Sequence, residues 1–241
     1  MDTEYAPQDL AKITAAQAAL KQFVSNGIRI GLGSGTTSHF FVRTLGKAVR
    51  NGLEIVATTT SRSTTSVATD AGIAVTDINA IDQLDLVIDG SDEIDENLRC
   101  IKGGGGCLLW EKIVAHAARE VIIICDESKL VTCLGTFPLP VEVVQFGWKR
   151  TRDQIVQILA DVGVPRPALT RRTQNGHPVT TDSGNYFIAC QCSRIEQPES
   201  LEKSLNAIPG VVENGLFTRE VTGMVVGHHD QSTRTILRNS S

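Results

Sequence analysis

The sequence predicts an α/β protein: a doubly wound, mostly parallel sheet with a second, smaller α+β domain. Two observations carry this. Up to about residue 134, short apolar strands alternate with amphipathic helices, the order that builds a parallel sheet. Beyond it the order becomes strand, helix, two strands, helix, strand, which is that of a ferredoxin-like unit. The expected division is a Rossmann-like catalytic domain over 1–134 plus 219–241 and a small domain over 135–218.

The first helix is predicted over 8–25, where Leu10, Ile13, Ala16, Ala19, Leu20 and Phe23 recur at helical spacing, with Gly27 as its stop. IRIGLGSGTT reads as a strand running into a glycine-rich turn. A helix follows over 38–49, then a strand over 53–58, a helix over 61–71 and a third strand, GIAVT. LDLVID is apolar enough to be buried on both faces. Residues 107–119 read as a helix and VIIIC as the next buried strand. In the small domain VEVVQF is a strand and TRDQIVQILADVG an amphipathic helix ending at Gly163. Strands over 166–172 and 185–192 are joined by the turn-like QNGHP. A helix over 198–208 closes at Pro209-Gly210, and VVENGLF is one strand. MVVGHH returns to the first sheet.

Composition removes several classes of function. The 241 residues include 41% hydrophobic and 21% charged ones, a globular balance, and 23 basic against 27 acidic side chains give −4 with no basic tail. Nucleic acid binding has no electrostatic support. Apolar runs such as Val121 to Cys125 are too short to span a bilayer, and the N-terminus lacks a signal pattern, so no membrane partner and a cytoplasmic address are expected. Cys100, Cys107, Cys125, Cys133, Cys190 and Cys192 show no paired metal spacing and read as reduced, partly buried thiols.

Three segments carry chemistry. Gly31-Leu32-Gly33-Ser34-Gly35-Thr36-Thr37 follows a strand and opens a helix, where backbone amides and the hydroxyls of Ser34, Thr36 and Thr37 suit an anion. It is not a dinucleotide fingerprint: position 36 is Thr, and the second strand ends in Thr58-Thr59-Thr60-Ser61 without a ribose-binding acid. A phosphate monoester fits better. Asp89-Gly90-Ser91-Asp92-Glu93 ends LDLVID, where open parallel sheets place their sites. A calcium loop does not fit, because position six is Ile94 and position twelve is Cys100; a magnesium site on two carboxylates stays open. Asp95 and Glu96 read as a solvated acidic loop. Lys102-Gly103-Gly104-Gly105-Gly106 leads into a helix, and four glycines in a row imply close backbone approach to a ligand. Glu111 lies in the first turn or two of that helix, nine residues after Lys102, so both are expected to face one pocket.

This set suits aldose–ketose isomerisation, which moves a proton between C1 and C2 through an enediolate. Glu111 serves as base and Lys102 as cationic donor, while Asp89 and Asp92 handle hydroxyl protons and ring opening. Lys102 and the helix start favour an ionised Glu111, whereas a dry site strengthens it as a base; the sequence leaves both open.

GLGSGTT, DGSDE, KGGGG and WEKIVA, in that order, resemble the type A ribose-5-phosphate isomerases, as do DESK at 126–129, GTFPLPVEV at 135–143, TDSGNY at 181–186 and NAIPGVVENGLF at 206–217. The resemblance covers nearly the whole chain. It implies Glu111 as general base and interconversion of D-ribose 5-phosphate and D-ribulose 5-phosphate, as in the non-oxidative pentose phosphate pathway. It also implies substrate binding by Ser34, Gly35, Thr36, Thr37, by Asp89, Gly90, Ser91, Asp92, by Lys102, Gly103, Gly104, Gly105, and by Lys129. No metal or other cofactor is expected, and a homodimer or homotetramer is. Trp110 departs from the usual Arg, Cys107 and Ser91 from Ala, and Ala189 from Asp. The competing readings are a sugar-phosphate sensor domain, which would need a helix-turn-helix, and a magnesium-dependent phosphatase, which would need D-x-D. His228-His229 on a strand would point oppositely. His39 and His116 read as helix-surface or core residues, and Trp148 as a packing residue.

Overall fold

The computed structural model describes residues 5–164 and 167–238. In chain order it forms α1 (Pro7–Phe23), β1 (Ile28–Leu32), α2 (Thr36–Arg50), β2 (Ile55–Thr59), α3 (Arg62–Asp70), β3 (Leu84–Asp89), β4 (Glu93–Ile94), β5 (Cys100–Ile101), α4 (Leu108–His116) and β6 (Ala118–Asp126). There follow β7 (Leu139–Val143), α5 (Trp148–Asp161), β8 (Ala168–Arg171), β9 (Thr173–Gln174), β10 (His177–Pro178), β11 (Tyr186–Gln191), α6 (Pro198–Asn206), β12 (Val211–Asn214), β13 (Leu216–Phe217), β14 (Gly223–Gly227) and β15 (Thr233–Leu237). The chain divides into two compact units: Met1–Ser91 with Trp110–Leu130 and Glu220–Ser241, and Asp92–Leu109 with Val131–Arg219.

The first unit is built on a six-stranded sheet in the order β15-β14-β6-β3-β1-β2. All its neighbours run parallel except the edge strand β15, antiparallel to β14. Inward residues such as Ile30, Leu32, Leu86, Ile88, Ile122 and Ile124 pack with Phe41 and Leu45 of α2 into one core. Such strands are apolar on both faces because helices cover the sheet. The chain leaves β1 for β2 on one side and enters β3 on the other, so the strand order reverses between β1 and β3. Crevices outside the carboxyl ends of strands at such a reversal are where open sheets bind ligands.

The second unit carries an antiparallel sheet in the order β12-β7-β11-β8. Ile155 and Leu159 of α5 and Leu201 and Leu205 of α6 form one core with Val141, Val143 and Ile188 of that sheet. A three-stranded ribbon, β13-β5-β4, completes it.

Several local expectations are corrected. GIAVT makes one isolated bridge, Ala57 to Val75, rather than a strand; Asp77 then accepts the Asn79 N–H and turns the chain away. VVENGLF is two strands, because the buried Asn214 accepts the Leu216 N–H at 3.0 Å and redirects the chain from β7 to β5. Asp95 is not solvated: it is 2% exposed, accepts the N–H groups of Asn97 and Arg99, and pairs with the Arg99 guanidinium at 2.6 Å. His228 and His229 lie past the end of β14, and both reach Glu127, at 2.7 and 3.4 Å. The helix expected over 107–119 stops at His116, since Ala118 already belongs to β6. QNGHP is a tight hairpin between β9 and β10, with Asn175 and Gly176 both at positive φ. Of the strand expected over 166–172, Arg166 lies outside the described residues and the strand begins at Ala168. Among the described residues no helix is long and apolar enough to cross a membrane.

Candidate active site

The site residues predicted from sequence divide between the two units. In the first, β1 and β3 lie side by side, so the loop after Leu32 and the carboxylate at the end of β3 meet. Asp89, 1% exposed, accepts through Oδ1 the N–H of Ser34 at 3.0 Å, its own neighbour's at Gly90 at 2.7 Å, and the Ser38 hydroxyl at 3.3 Å. Gly33 is required here, because a Cβ on it would collide with that carboxylate. Asp89 therefore holds the turn that opens α2. Gly35 takes φ 93° and Gly35 and Thr36 are exposed, while Thr37 is buried. No side chain caps α2, so its first turn presents backbone amides.

Ser34 does more than donate at the rim. Its Oγ shares hydrogen bonds with Thr60 Oγ1 at 2.7 Å and Thr64 Oγ1 at 3.1 Å and donates to Ser61 Oγ at 2.8 Å. Ser61 in turn caps α3 by accepting the Thr64 N–H. Thr60, Ser61 and Thr64 are all buried. In the sequence the run Thr58 to Ser61 registers only as the absence of an acid, yet its hydroxyls are the signal for this network.

Glu111, 5% exposed, stands in the first turn of α4. Its neighbour Trp110 lines a cavity of about 440 Å³ in the same unit with Thr58, Val75, Asp77, Ile113 and Val114. Lys129 ends the 3-10 turn Glu127–Lys129, which Asp126 caps by accepting the Ser128 N–H at 3.1 Å. Ser91 Oγ is buried without a hydrogen-bond partner among the described residues.

In the second unit Lys102 follows β5. Its N–H donates to Gly215 O at 2.9 Å, its side chain is 2% exposed, and its ammonium lies 5.4 Å from the centre of the Phe217 ring. Gly103 folds back so that its carbonyl accepts the Gly106 N–H at 2.8 Å. Asp92 Oδ2 accepts the Gly104 N–H at 2.8 Å. The four glycines thus form a turn hung from Asp92, with Gly105 exposed at its tip. Glu93, the last residue of DGSDE, is 4% exposed and accepts the N–H groups of Gly135 and Phe137 at 2.7 and 2.5 Å. It is a structural anchor. Each of the two expected carboxylates, Asp89 and Asp92, therefore holds one of the two predicted ligand loops. Among the described residues no group of three or more His, Cys, Asp or Glu is arranged to hold a metal ion.

The profile of one family, Ribose 5-phosphate isomerase A (phosphoriboisomerase A), matches residues 56–231. Ribose-5-phosphate isomerase A 2 of Yersinia pseudotuberculosis is 56% identical over 232 residues, covering 96% of this chain and 98% of the relative. A solved D-ribose-5-phosphate isomerase in complex with phospho-erythronic acid is similar at a TM-score of 0.87 and 35% identity, with 95% of this chain and 98% of that chain covered. The ribose 5-phosphate isomerase of Plasmodium falciparum is similar at a TM-score of 0.89 and 31% identity, with 97% and 100% covered.

Proposed function

The chain belongs to the ribose 5-phosphate isomerase A family and interconverts D-ribose 5-phosphate and D-ribulose 5-phosphate, and on that premise we propose that Glu111 is its general base. The reaction needs a carboxylate that takes the C2 proton of the open-chain aldose and returns it at C1. It also needs donors for the oxygens that gain charge in the enediolate. The observation that carries the assignment is a carboxylate only 5% exposed in the first turn of the helix that follows the glycine-rich loop.

Lys102 is the cationic donor to the enediolate oxygens. A buried ammonium held in place lends its charge without reorganising at the moment of reaction. Asp89 and Asp92 move hydroxyl protons and assist ring opening while anchoring their loops. Ser34, Gly35, Thr36 and Thr37, with Gly90 and Ser91, bind substrate oxygens; so do Gly103, Gly104 and Gly105, and Lys129. Backbone amides at a helix start and in a glycine turn suit phosphate and sugar oxygens alike. A cytoplasmic homodimer or homotetramer belongs to the same proposal, and light scattering on the purified chain tests the assembly.

Glu111→Gln tests the base. The variant keeps shape and hydrogen bonding but cannot accept the proton, so turnover should fall by about 10²–10⁴ or more. Binding of phospho-erythronic acid should stay within about tenfold, because the interaction lost is one made in the transition state. Exchange of the C2 hydrogen with solvent deuterium reads the step directly. Near wild-type exchange in the variant would move the role to Asp89 or Asp92.

A further inference from the structure

Gly104, inside the glycine-rich loop, is gripped from three sides by its own unit. Asp92 Oδ2 accepts its N–H at 2.8 Å, and Arg172 Nη1 donates to its carbonyl at 2.7 Å. The Phe137 ring lies so near that a Cβ on Gly104 would stand 2.6 Å from Cζ. Asp92 and the loop were visible in the sequence. Arg172, 68 residues away, was not, because it is a single residue between β8 and β9 with no motif around it.

The guanidinium is well placed to hold a backbone group. Arg172 N donates to Phe187 O at 2.9 Å, and Arg172 O accepts the Val179 N–H at 3.0 Å, so its main chain is fixed on both sides. Its side chain lies 5.5 Å from the centre of the Phe187 ring. A peptide group is planar, with C=O and the following N–H pointing in opposite directions. Holding the Gly104 carbonyl therefore fixes the direction of the Gly105 N–H, which points away from Arg172. Gly105 is the exposed tip of the turn, and a glycine backbone has no side chain of its own to restrict it. A cation on the carbonyl also polarises the peptide and makes that N–H a stronger donor.

We propose that Arg172 is a positioning residue for the isomerisation: it orients and polarises the Gly104–Gly105 peptide so that the Gly105 amide meets a substrate oxygen. This rests on the assignment of the glycine-rich loop to substrate binding. The contact acts on bound substrate throughout the reaction, so its loss should appear in KM more than in kcat.

The test uses the full chain with R172M, which keeps the aliphatic stem but removes the donor, R172K, which restores one, and G104A. R172M should raise KM for ribose 5-phosphate and Kd for phospho-erythronic acid together by about tenfold, the scale of one charge-assisted hydrogen bond. Its kcat should stay within about threefold, and its thermal midpoint should be unchanged because the side chain is exposed. R172K should recover most of the loss in both constants. If R172M fails to fold, R172K decides: binding within threefold of wild type supports the proposal, and a full tenfold loss overturns it. A drop in midpoint and kcat with KM and Kd unchanged would show a merely structural role. Unchanged binding in R172M with weakened binding in G104A overturns the Arg172 role and leaves the loop assignment standing. Unchanged binding in both removes the loop assignment as well.

Discussion

Asp89 Oδ1 accepts the Ser34 N–H at 3.0 Å, tying the end of β3 to the loop after β1 where the strand order reverses. The contact exists because Gly33 has no side chain: a Cβ there would lie 2.5 Å from the Asp89 Cα, which is backbone and cannot swing aside. Gly33→Ala should therefore cost about 1–3 kcal/mol of stability, the usual penalty for overpacking. It should also lower kcat/KM, since the loop and the carboxylate are displaced together. Thermal unfolding and steady-state kinetics check both, and a variant as stable and active as the parent would show that the loop does not depend on this approach.

Lys102→Ala should behave unlike Glu111→Gln. An ammonium that meets a substrate oxygen before reaction and the enediolate oxygen during it contributes to both binding and turnover. KM should rise and kcat fall together, with kcat lower by about 10²–10³, the scale for removing one oxyanion donor. A variant with lower kcat and an unchanged Kd for phospho-erythronic acid would restrict Lys102 to the transition state.

What was legible in the sequence follows from which forces leave periodic marks. LDLVID and VIIIC were readable because strands buried on both faces must be apolar throughout, and they emerged as β3 and the buried half of β6. DGSDE and KGGGG stood out because glycine runs beside charge are costly in chain entropy, and in the structure the two meet where Asp92 accepts the Gly104 N–H. The short strands β4 and β5 were not, nor was the break that separates β13 from β12, since two residues carry no alternation and pairing is decided by distant partners. Asp95 looked solvated because charge usually marks surface; its partner Arg99 and two backbone donors, all local, make burial tolerable. The hydroxyl network under Ser34 and the Arg172 contact to Gly104 depend on β2 and β8 being brought beside segments far away in sequence. Single side chains meeting single backbone atoms leave no pattern to read.

The cysteines should separate by reactivity. Burial pushes the Cys125 thiol up to about 12, with Asp126 adding to the effect, and burial pushes Cys192 to about 12 as well. Cys190 is raised well above the ordinary thiol value by burial and by Cys192. The thiolate is the nucleophile, so these three, and the fully buried Cys100, should resist iodoacetamide in the native protein. The half-buried Cys107 and Cys133 should label first. Peptide mapping after brief alkylation at about pH 8 gives the order, and early labelling of Cys190 or Cys192 would mean that the small unit's core opens readily.

Glu142 should make stability fall towards neutral pH. It is 1% exposed on β7, and its Oε1 accepts from Thr181 Oγ1 and Asn185 Nδ2, each at 2.8 Å. Burial pushes its carboxyl above the ordinary 4.5; the two hydrogen bonds pull the other way, and Glu213 and Asp182 add repulsion. The folded protein then keeps this proton at a pH where the unfolded chain has released it. Its stabilising effect is full below the unfolded value and is lost as pH rises through the higher folded one. At about pH 7.5 an ionised Glu142 is a cost that Gln would not carry, since a Gln carbonyl still accepts from Asn185 and Thr181. Glu142→Gln should raise the thermal midpoint at neutral pH, with the gain shrinking as pH is lowered through the carboxylate range. A loss of midpoint that grows as pH rises through that range would mean that the Glu142 carboxylate stabilises the small unit in its charged form, held by Thr181 and Asn185 more strongly than burial opposes it.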